Sequence, residues 1–259
     1  MKLFTSADLA EYKLREFIEI CGSWKSGKSY DVLSIAQSWQ RIESEGTVYI
    51  IDTENQIRKM WKAQFRDVDN IKLYMCADMD DVILAIDTIK PKLHINDWIC
   101  LESKARIWEF AQDLGYMAIA GMKKAEYLSK QRTDGGPITP HPDQLWSIVK
   151  NAYYRNMMDV LVNEVECNIV ITTTMSKSVK DMPKRESPTR KAVRMMLGTD
   201  VSLDGDPRNP YYPDTIVMTT KGEDGFWATV LGDRGGEIPG QQIHFKVDSF
   251  LFDFMENCR

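Results

Sequence analysis

The chain has 259 residues, 43% of them hydrophobic and 27% charged, which is enough apolar material for one sizeable core and excludes a disordered or collagen-like chain. Lys and Arg total 33 against 38 Asp and Glu, a formal net charge of −5, so a generally basic nucleic-acid coat is excluded and any anion site must be local. Five cysteines without a C-x-x-C pair read as reduced core thiols, and the 3 histidines are too scattered to build a structural zinc site. No run approaches the roughly 18 apolar residues of a membrane span. The first residues carry acids where a signal peptide needs an apolar stretch, so a soluble, unprocessed, cytoplasmic protein is expected, in the host's cytoplasm if the chain is viral.

Short apolar runs alternate with longer stretches of helical period, the pattern of a mostly parallel sheet covered on both faces. In chain order, a strand is predicted over 17–21, then a helix whose stripe is Val32, Ile35, Ala36, Trp39 and Ile42, closed by Gly46. A strand over 48–52, a helix over 56–65 and a strand over 71–76 follow. Asp80 or Asp81 is the predicted cap of the next helix, which Pro91 closes. A strand over 98–101 leads to a helix over 104–122, and a loop is expected within about 123–142, polar and proline-rich from 129 onward. Beyond a long amphipathic helix over 143–165 and a strand over 168–172, periodicity disappears from about 175 to 213. Two strands, 215–220 and 226–231, flank the turn Lys221-Gly222-Glu223-Asp224-Gly225 as a hairpin, followed by a strand near 243–247 and a short terminal helix. The whole of 1–259 reads as one α/β domain with two grown-out loops.

Between the first strand and the first helix stands Gly22-Ser23-Trp24-Lys25-Ser26-Gly27-Lys28-Ser29, which fits G-x-x-x-x-G-K-[ST] without a mismatch and is followed by Tyr30. Glycines let the backbone wrap close to phosphates with its N–H groups inward, and the helix N-terminus adds partial positive charge. Lys28 is placed to bridge β- and γ-phosphates and Ser29 to offer its hydroxyl to Mg²⁺, so the expected ligand is MgATP or MgGTP in a three-layer P-loop NTPase fold. Lys25, a second cation in the cradle, is open to phosphate, a neighbouring subunit or water; water is the favoured reading.

A hydrolase also needs an acid on Mg²⁺ and a group that orients the attacking water. The strand Val48-Tyr49-Ile50-Ile51-Asp52-Thr53-Glu54 ends in acids, and it resembles the strand of RecA-like ATPases that carries the catalytic glutamate, which maps to Glu54. Trp98-Ile99-Cys100-Leu101-Glu102-Ser103 resembles that family's Walker B strand, with Glu102 in place of the aspartate that helps hold Mg²⁺. The strand end at Thr172, Thr173 and Thr174 resembles the position of a polar γ-phosphate sensor, for which Thr173 and Thr174 are the candidates. Leu231-Gly232-Asp233-Arg234-Gly235-Gly236 resembles the arginine-finger segment of hexameric replicative helicases, with Gly232 replacing the usual lysine; Arg234 is the candidate finger.

The resemblance spans residues 14 to about 247 and looks most like the compact single-domain RecA-like ATPases of phage and archaeal genomes. It implies a RecA-like, mostly parallel sheet with a C-terminal antiparallel hairpin, MgATP hydrolysis, and a homo-oligomeric ring or filament, hexameric if a ring. It also implies a motor or recombinase-type role on DNA, single-stranded by preference, in replication or recombination. Lys177, Lys180, Lys184, Arg185, Arg190, Lys191 and Arg194 crowd one stretch that holds only Asp181 and Glu186 in opposition, and such cations grip phosphodiesters with little sequence preference. Lys123, Lys124, Lys130 and Arg132 are candidates to join them, and Tyr211 and Tyr212 to stack on bases. A DNA-packaging ATPase and a regulatory nucleotide-binding protein with weak hydrolysis are the alternative readings.

Overall fold

The computed structural model describes residues 15–42, 46–133, 143–178, 201–206, 211–223, 225–233 and 244–246. Nine strands are found among them: β1 Phe17–Gly22, β2 Val48–Asp52, β3 Ile71–Met75, β4 Trp98–Glu102, β5 Asn168–Ser178, β6 Val201–Leu203, β7 Thr215–Gly222, β8 Gly225–Asp233 and β9 His244–Lys246. They form a sheet in the order β3-β2-β4-β5-β1-β7-β8-β9, with β6 paired to β5 outside that path. The strands from β3 to β7 in that row run parallel, and β7-β8-β9 is antiparallel, which is the C-terminal hairpin and its extension.

The helices are α1 Lys28–Ile42, α2 Ile57–Gln64, α3 Met79–Ile89, α4 Lys104–Ala120, α5 Lys124–Thr133, α6 Asp143–Lys150 and α7 Asp159–Asn163, the last two joined by a π-helical stretch, Asn151–Met158. Alternation along the strands sorts them into two layers. Ile18, Ile20, Ile50, Cys100, Val170 and Val217 pack against Val32, Ile35 and Trp39 of α1 and Ile57 of α2. Phe17, Tyr49, Ile51, Ile99, Leu101 and Ile171 meet Val82 and Ile86 of α3, Ile107 and Phe110 of α4, and the 145–161 helical run. Because β1, β2, β4 and β5 are apolar on both faces, they read as continuous hydrophobic runs rather than as alternating ones. The Arg15 guanidinium, just before β1, donates to the carbonyls of Leu161, Val162 and Val165 and so satisfies the end of α7 that otherwise lacks partners.

Three local expectations need correction. The cap of α3 is Asp78, whose carboxylate accepts from the Asp81 amide at 2.9 Å, rather than Asp80 or Asp81. The region 124–133, expected within a loop, is helix α5; it follows Gly121, which ends α4 at φ 68, and is held by Lys124 to Gln112 and by a Glu126–Lys130 pair one turn apart. No residue of α5 is buried, so it lacks the apolar stripe by which a helix shows itself in sequence. The aperiodic stretch from 175 contains the end of β5 and all of β6, which pair antiparallel with Met175 opposite Leu203. Leu203 packs on Cys21 and Ile216, so the segment has its own small apolar anchor.

Cys21, Cys76, Cys100 and Cys167 are buried free thiols. Among the described residues no helix is long and apolar enough to cross a membrane. Residues 179–200 and 234–243, and with them Lys180, Lys184, Arg185, Arg190, Lys191, Arg194 and Arg234, lie outside the described residues, as do 134–142 and the terminal helix expected after 247. At Lys177 the backbone is described and the side chain is not.

Candidate nucleotide site

β1 ends at Gly22 and α1 begins at Lys28, so Ser23 to Gly27 form a five-residue turn at the C-terminal edge of the sheet. Two glycines are required by space as well as by conformation. A Cβ on Gly22 would fall 2.2 Å from the Ser26 hydroxyl oxygen and 2.8 Å from the Thr219 carbonyl oxygen. Gly27 has φ +106, and a Cβ there would fall 2.9 Å from the Phe226 ring. The β7-β8 hairpin is thus a wall of the turn, and it is tied to it where Ser26 Oγ and Thr219 Oγ1 hydrogen-bond at 2.8 Å.

Lys28 opens α1 with its ammonium turned back over the turn, where Nζ donates to the carbonyls of Gly22 (3.2 Å) and Ser23 (2.9 Å). Burial pulls its pKa down, and the charges of Glu102 and Glu54 oppose that pull. Lys25 does not simply face water: its Nζ lies 4.6 Å from the centroid of the Trp24 ring, a cation–π contact made by a tryptophan that is 81% exposed. The Tyr30 ring, next along α1, stands 5.0 Å from Phe65 and 6.0 Å from Phe226.

The structure brings Ser29 and Glu102 together: the Ser29 hydroxyl donates to Glu102 Oε1 at 2.7 Å, although 73 residues separate them. β4 lies beside β2, with Glu102 opposite Asp52. The Thr53 amide and hydroxyl both donate to the Glu102 carbonyl, at 2.6 and 2.9 Å, and the Ser103 amide donates back to the Thr53 hydroxyl at 3.0 Å. This stitch holds the two acid-bearing strand ends at one level. Glu102 is 1% exposed, and burial, with some help from Glu54, pushes its carboxyl up to about 7 against the opposing influence of the Thr172 and Ser29 hydroxyls and Lys28.

Glu54 is exposed and its charge is felt at both Lys28 and Glu102. What holds it there is Asp52, whose carboxylate accepts the amides of Glu54 (2.9 Å), Asn55 (2.8 Å) and Ile57 (3.1 Å), fixing the turn and starting α2. Asp52, buried and spent on backbone amides, is therefore a positioning residue beneath Glu54.

Thr173 is a correction. Its hydroxyl donates to the Asp204 carbonyl at 3.1 Å, on the side of Cys21 and β6, because neighbouring residues of a strand point to opposite faces. Thr172, one residue earlier, is the hydroxyl that reaches Glu102. Arg234 follows the end of β8, where the Asp233 carboxylate accepts from Thr215 at 2.9 Å.

Asp31 is the acid that sequence reasoning passed over. It sits on the sheet-facing side of α1, is 1% exposed, and neither of its carboxylate oxygens has a hydrogen-bond partner. Burial raises its pKa well above the ordinary carboxylate value, and the charge of Glu102 adds to this. Glu102 Oε2 is likewise buried and unpartnered. Among the described residues there is no cluster of three His, Cys, Asp or Glu. The oxygen donors that do converge, a serine hydroxyl and carboxylates with orphaned atoms, are the hard set that suits Mg²⁺, so the site fits that ion.

No protein-family model matches the chain, and no curated protein matches it. Among solved structures it is similar to the ATPase domain of a RecA-like replicative helicase, with a TM-score of 0.50 at 10% identity, over 90% of this chain and 81% of that one. Likeness at this identity speaks to architecture. Together with the strand order and the loop at residues 22–29, it gives the chain a RecA-like P-loop fold, a mostly parallel sheet between two helical layers with a C-terminal antiparallel hairpin.

Proposed function

We propose that the chain is a MgATP-hydrolysing RecA-like ATPase, one catalytic unit over its whole length, that works on DNA, single-stranded by preference, in replication or recombination. The observation that carries the reading is the direct Ser29–Glu102 contact at 2.7 Å, beside Lys28 and at the mouth of a turn whose glycines cannot carry side chains. Lys28 leaves the carbonyls of Gly22 and Ser23 for the β- and γ-phosphates, and the amides of Ser23 to Tyr30 line the rest of the chain of phosphates. Ser29 and Glu102 hold the cation, which when bound offsets the charge on the phosphate oxygens. Glu54, held out by Asp52, accepts a hydrogen bond from the attacking water and aims it at the γ-phosphorus.

Arg234 reaches the nucleotide of a neighbouring copy, so turnover belongs to a ring or filament, and the cations between 177 and 194 grip the polymer. The likeness to a helicase ATPase domain supports the hydrolytic part of this reading. A regulatory protein that binds nucleotide and barely turns it over is the second reading, favoured by the longer acid at Glu102, whose Oε1 already engages Ser29.

The test is the ATPase rate of the wild type and of Lys28→Ala, with and without single-stranded DNA, at two salt concentrations. The expected result is a slow basal rate, stimulation by DNA that fades at high salt, and loss of nucleotide binding and of both rates in the variant. Full activity in Lys28→Ala would sink the mechanism. A wild type that binds nucleotide without DNA stimulation or salt-sensitive DNA binding would promote the regulatory reading.

A further inference from the structure

Three buried carboxylate oxygens near the phosphate turn, both of Asp31 and one of Glu102, have no hydrogen-bond partner. An ionised carboxylate out of water without a partner costs several kcal/mol, so such oxygens call for a counter-charge. The cation whose charge they feel, Lys28, gives its hydrogen bonds to the Gly22 and Ser23 carbonyls. Asp31 lies one helical turn beyond Lys28, and the charges it feels are those of Glu102 and Lys28. Glu102 projects toward the same layer, because it is two residues past Cys100, which packs against α1.

We propose that Asp31 is the second carboxylate of the cation site, so that Asp31, Glu102 and Ser29 together bind a divalent metal before nucleotide arrives. The inference rests on the reading of Ser29 and Glu102 as cation ligands and adds a new member and a new consequence. A site that offers one acid and one hydroxyl depends on the substrate's phosphates to complete the shell of Mg²⁺. With two carboxylates the site carries enough negative charge and enough hard oxygens to hold the ion by itself. The extra methylene of Glu102, compared with the aspartate usual at that strand end, lets its carboxyl share an ion with a residue on the helix opposite.

The probe is Mn²⁺ without nucleotide, measured by calorimetry and by the loss of the free-Mn²⁺ paramagnetic signal. The wild type should bind one Mn²⁺ per chain, Asp31→Asn should bind it at least tenfold more weakly, and Glu102→Gln, which keeps Asp31, should show weakened binding rather than none. Lys28→Ala should bind Mn²⁺ as the wild type does while losing nucleotide. Wild-type protein that binds MgATP but no Mn²⁺ alone overturns this inference and leaves the ATPase reading standing; Asp31-dependent Mn²⁺ binding in a protein that takes no nucleotide does the reverse. Mn²⁺ binding unchanged in Asp31→Asn would also overturn it and mark Asp31 as a neutral buried acid. Should Asp31→Asn not fold, Asp31→Ser is the second variant, and complete loss of Mn²⁺ binding in Glu102→Gln decides against the proposal without either.

Discussion

The two faces of the sheet bury charge in opposite ways. On the face away from α1, Lys104 donates to Glu19 in the middle of β1, both side chains are 1% exposed, and they form an ion pair. On the α1 face, Asp31 and Glu102 are buried to the same degree, yet three of their four carboxylate oxygens have no hydrogen-bond partner. Equal burial with unequal pairing separates two roles. A closed pair is what a scaffold tolerates, since each charge neutralises the other in place. Open carboxylates are tolerated only where something else supplies the charge, which is why the α1 face reads as a ligand site and the Lys104–Glu19 face as a brace.

Breaking the brace should have the largest effect. Lys104 is the first residue of α4, and Glu19 stands three residues before Gly22; β5 lies between their strands, so the pair spans the middle of the sheet. Lys104→Met leaves Glu19 buried without its cation, with Oε2 already unpartnered, and should lower the unfolding free energy by about 3–5 kcal/mol. The double variant Glu19→Gln, Lys104→Met should recover most of that in chemical denaturation. A single variant as stable as the wild type would show that the pair holds nothing together.

The open side should respond to pH instead. Glu102 has a carboxyl pushed up to about 7 by burial, against an ordinary value of 4.5. The folded state therefore keeps a proton that the unfolded state has lost between those values, so in metal-free buffer stability falls as pH rises from about 4.5 to about 7 and is level beyond. Glu102→Gln removes that slope while keeping an oxygen for the Ser29 hydroxyl. It should be more stable than the wild type by roughly 3 kcal/mol at pH 8 and level with it below about pH 4.5, as judged by denaturation in the presence of a chelator. Identical pH profiles for the two proteins would mean that the carboxyl is not strained, and the contrast between the faces would go with it.

How far these features could be read from the chain depended on whether the signal was local. The phosphate turn is a contiguous motif, and the strands at 48–52 and 98–102 are apolar runs that end in acids, so the turn, Glu54 and Glu102 stood out from the sequence. Asp31 did not, because a single acid within the stripe of α1 looks like an interruption until the sheet behind it is known. The choice between Thr172 and Thr173 turned on strand parity, which a run of three threonines conceals. α5 has no buried residue and hence no period to detect. The brace joins residues 85 positions apart in sequence, and nothing local in β1 marks Glu19 as paired.

The hairpin wall of the phosphate turn is the mildest case, and it separates the two faces most finely, since it involves neutral groups. Thr219 Oγ1 shares a hydrogen bond with Ser26 Oγ at 2.8 Å and approaches the Cys21 carbonyl at 3.3 Å, linking β7 to the turn across 193 residues of sequence. Thr219→Val keeps the shape and removes the hydroxyl, so the loss should be about 1 kcal/mol of stability, the usual worth of one neutral hydrogen bond. Nucleotide affinity should fall only a few-fold, because Gly22 and Gly27 still hold the turn's path and Lys28 is untouched. Thermal melts and nucleotide titrations of the one variant read both quantities. A drop in affinity as large as that expected for Lys28→Ala would show instead that the hairpin, rather than the turn's own glycines, shapes the phosphate cradle.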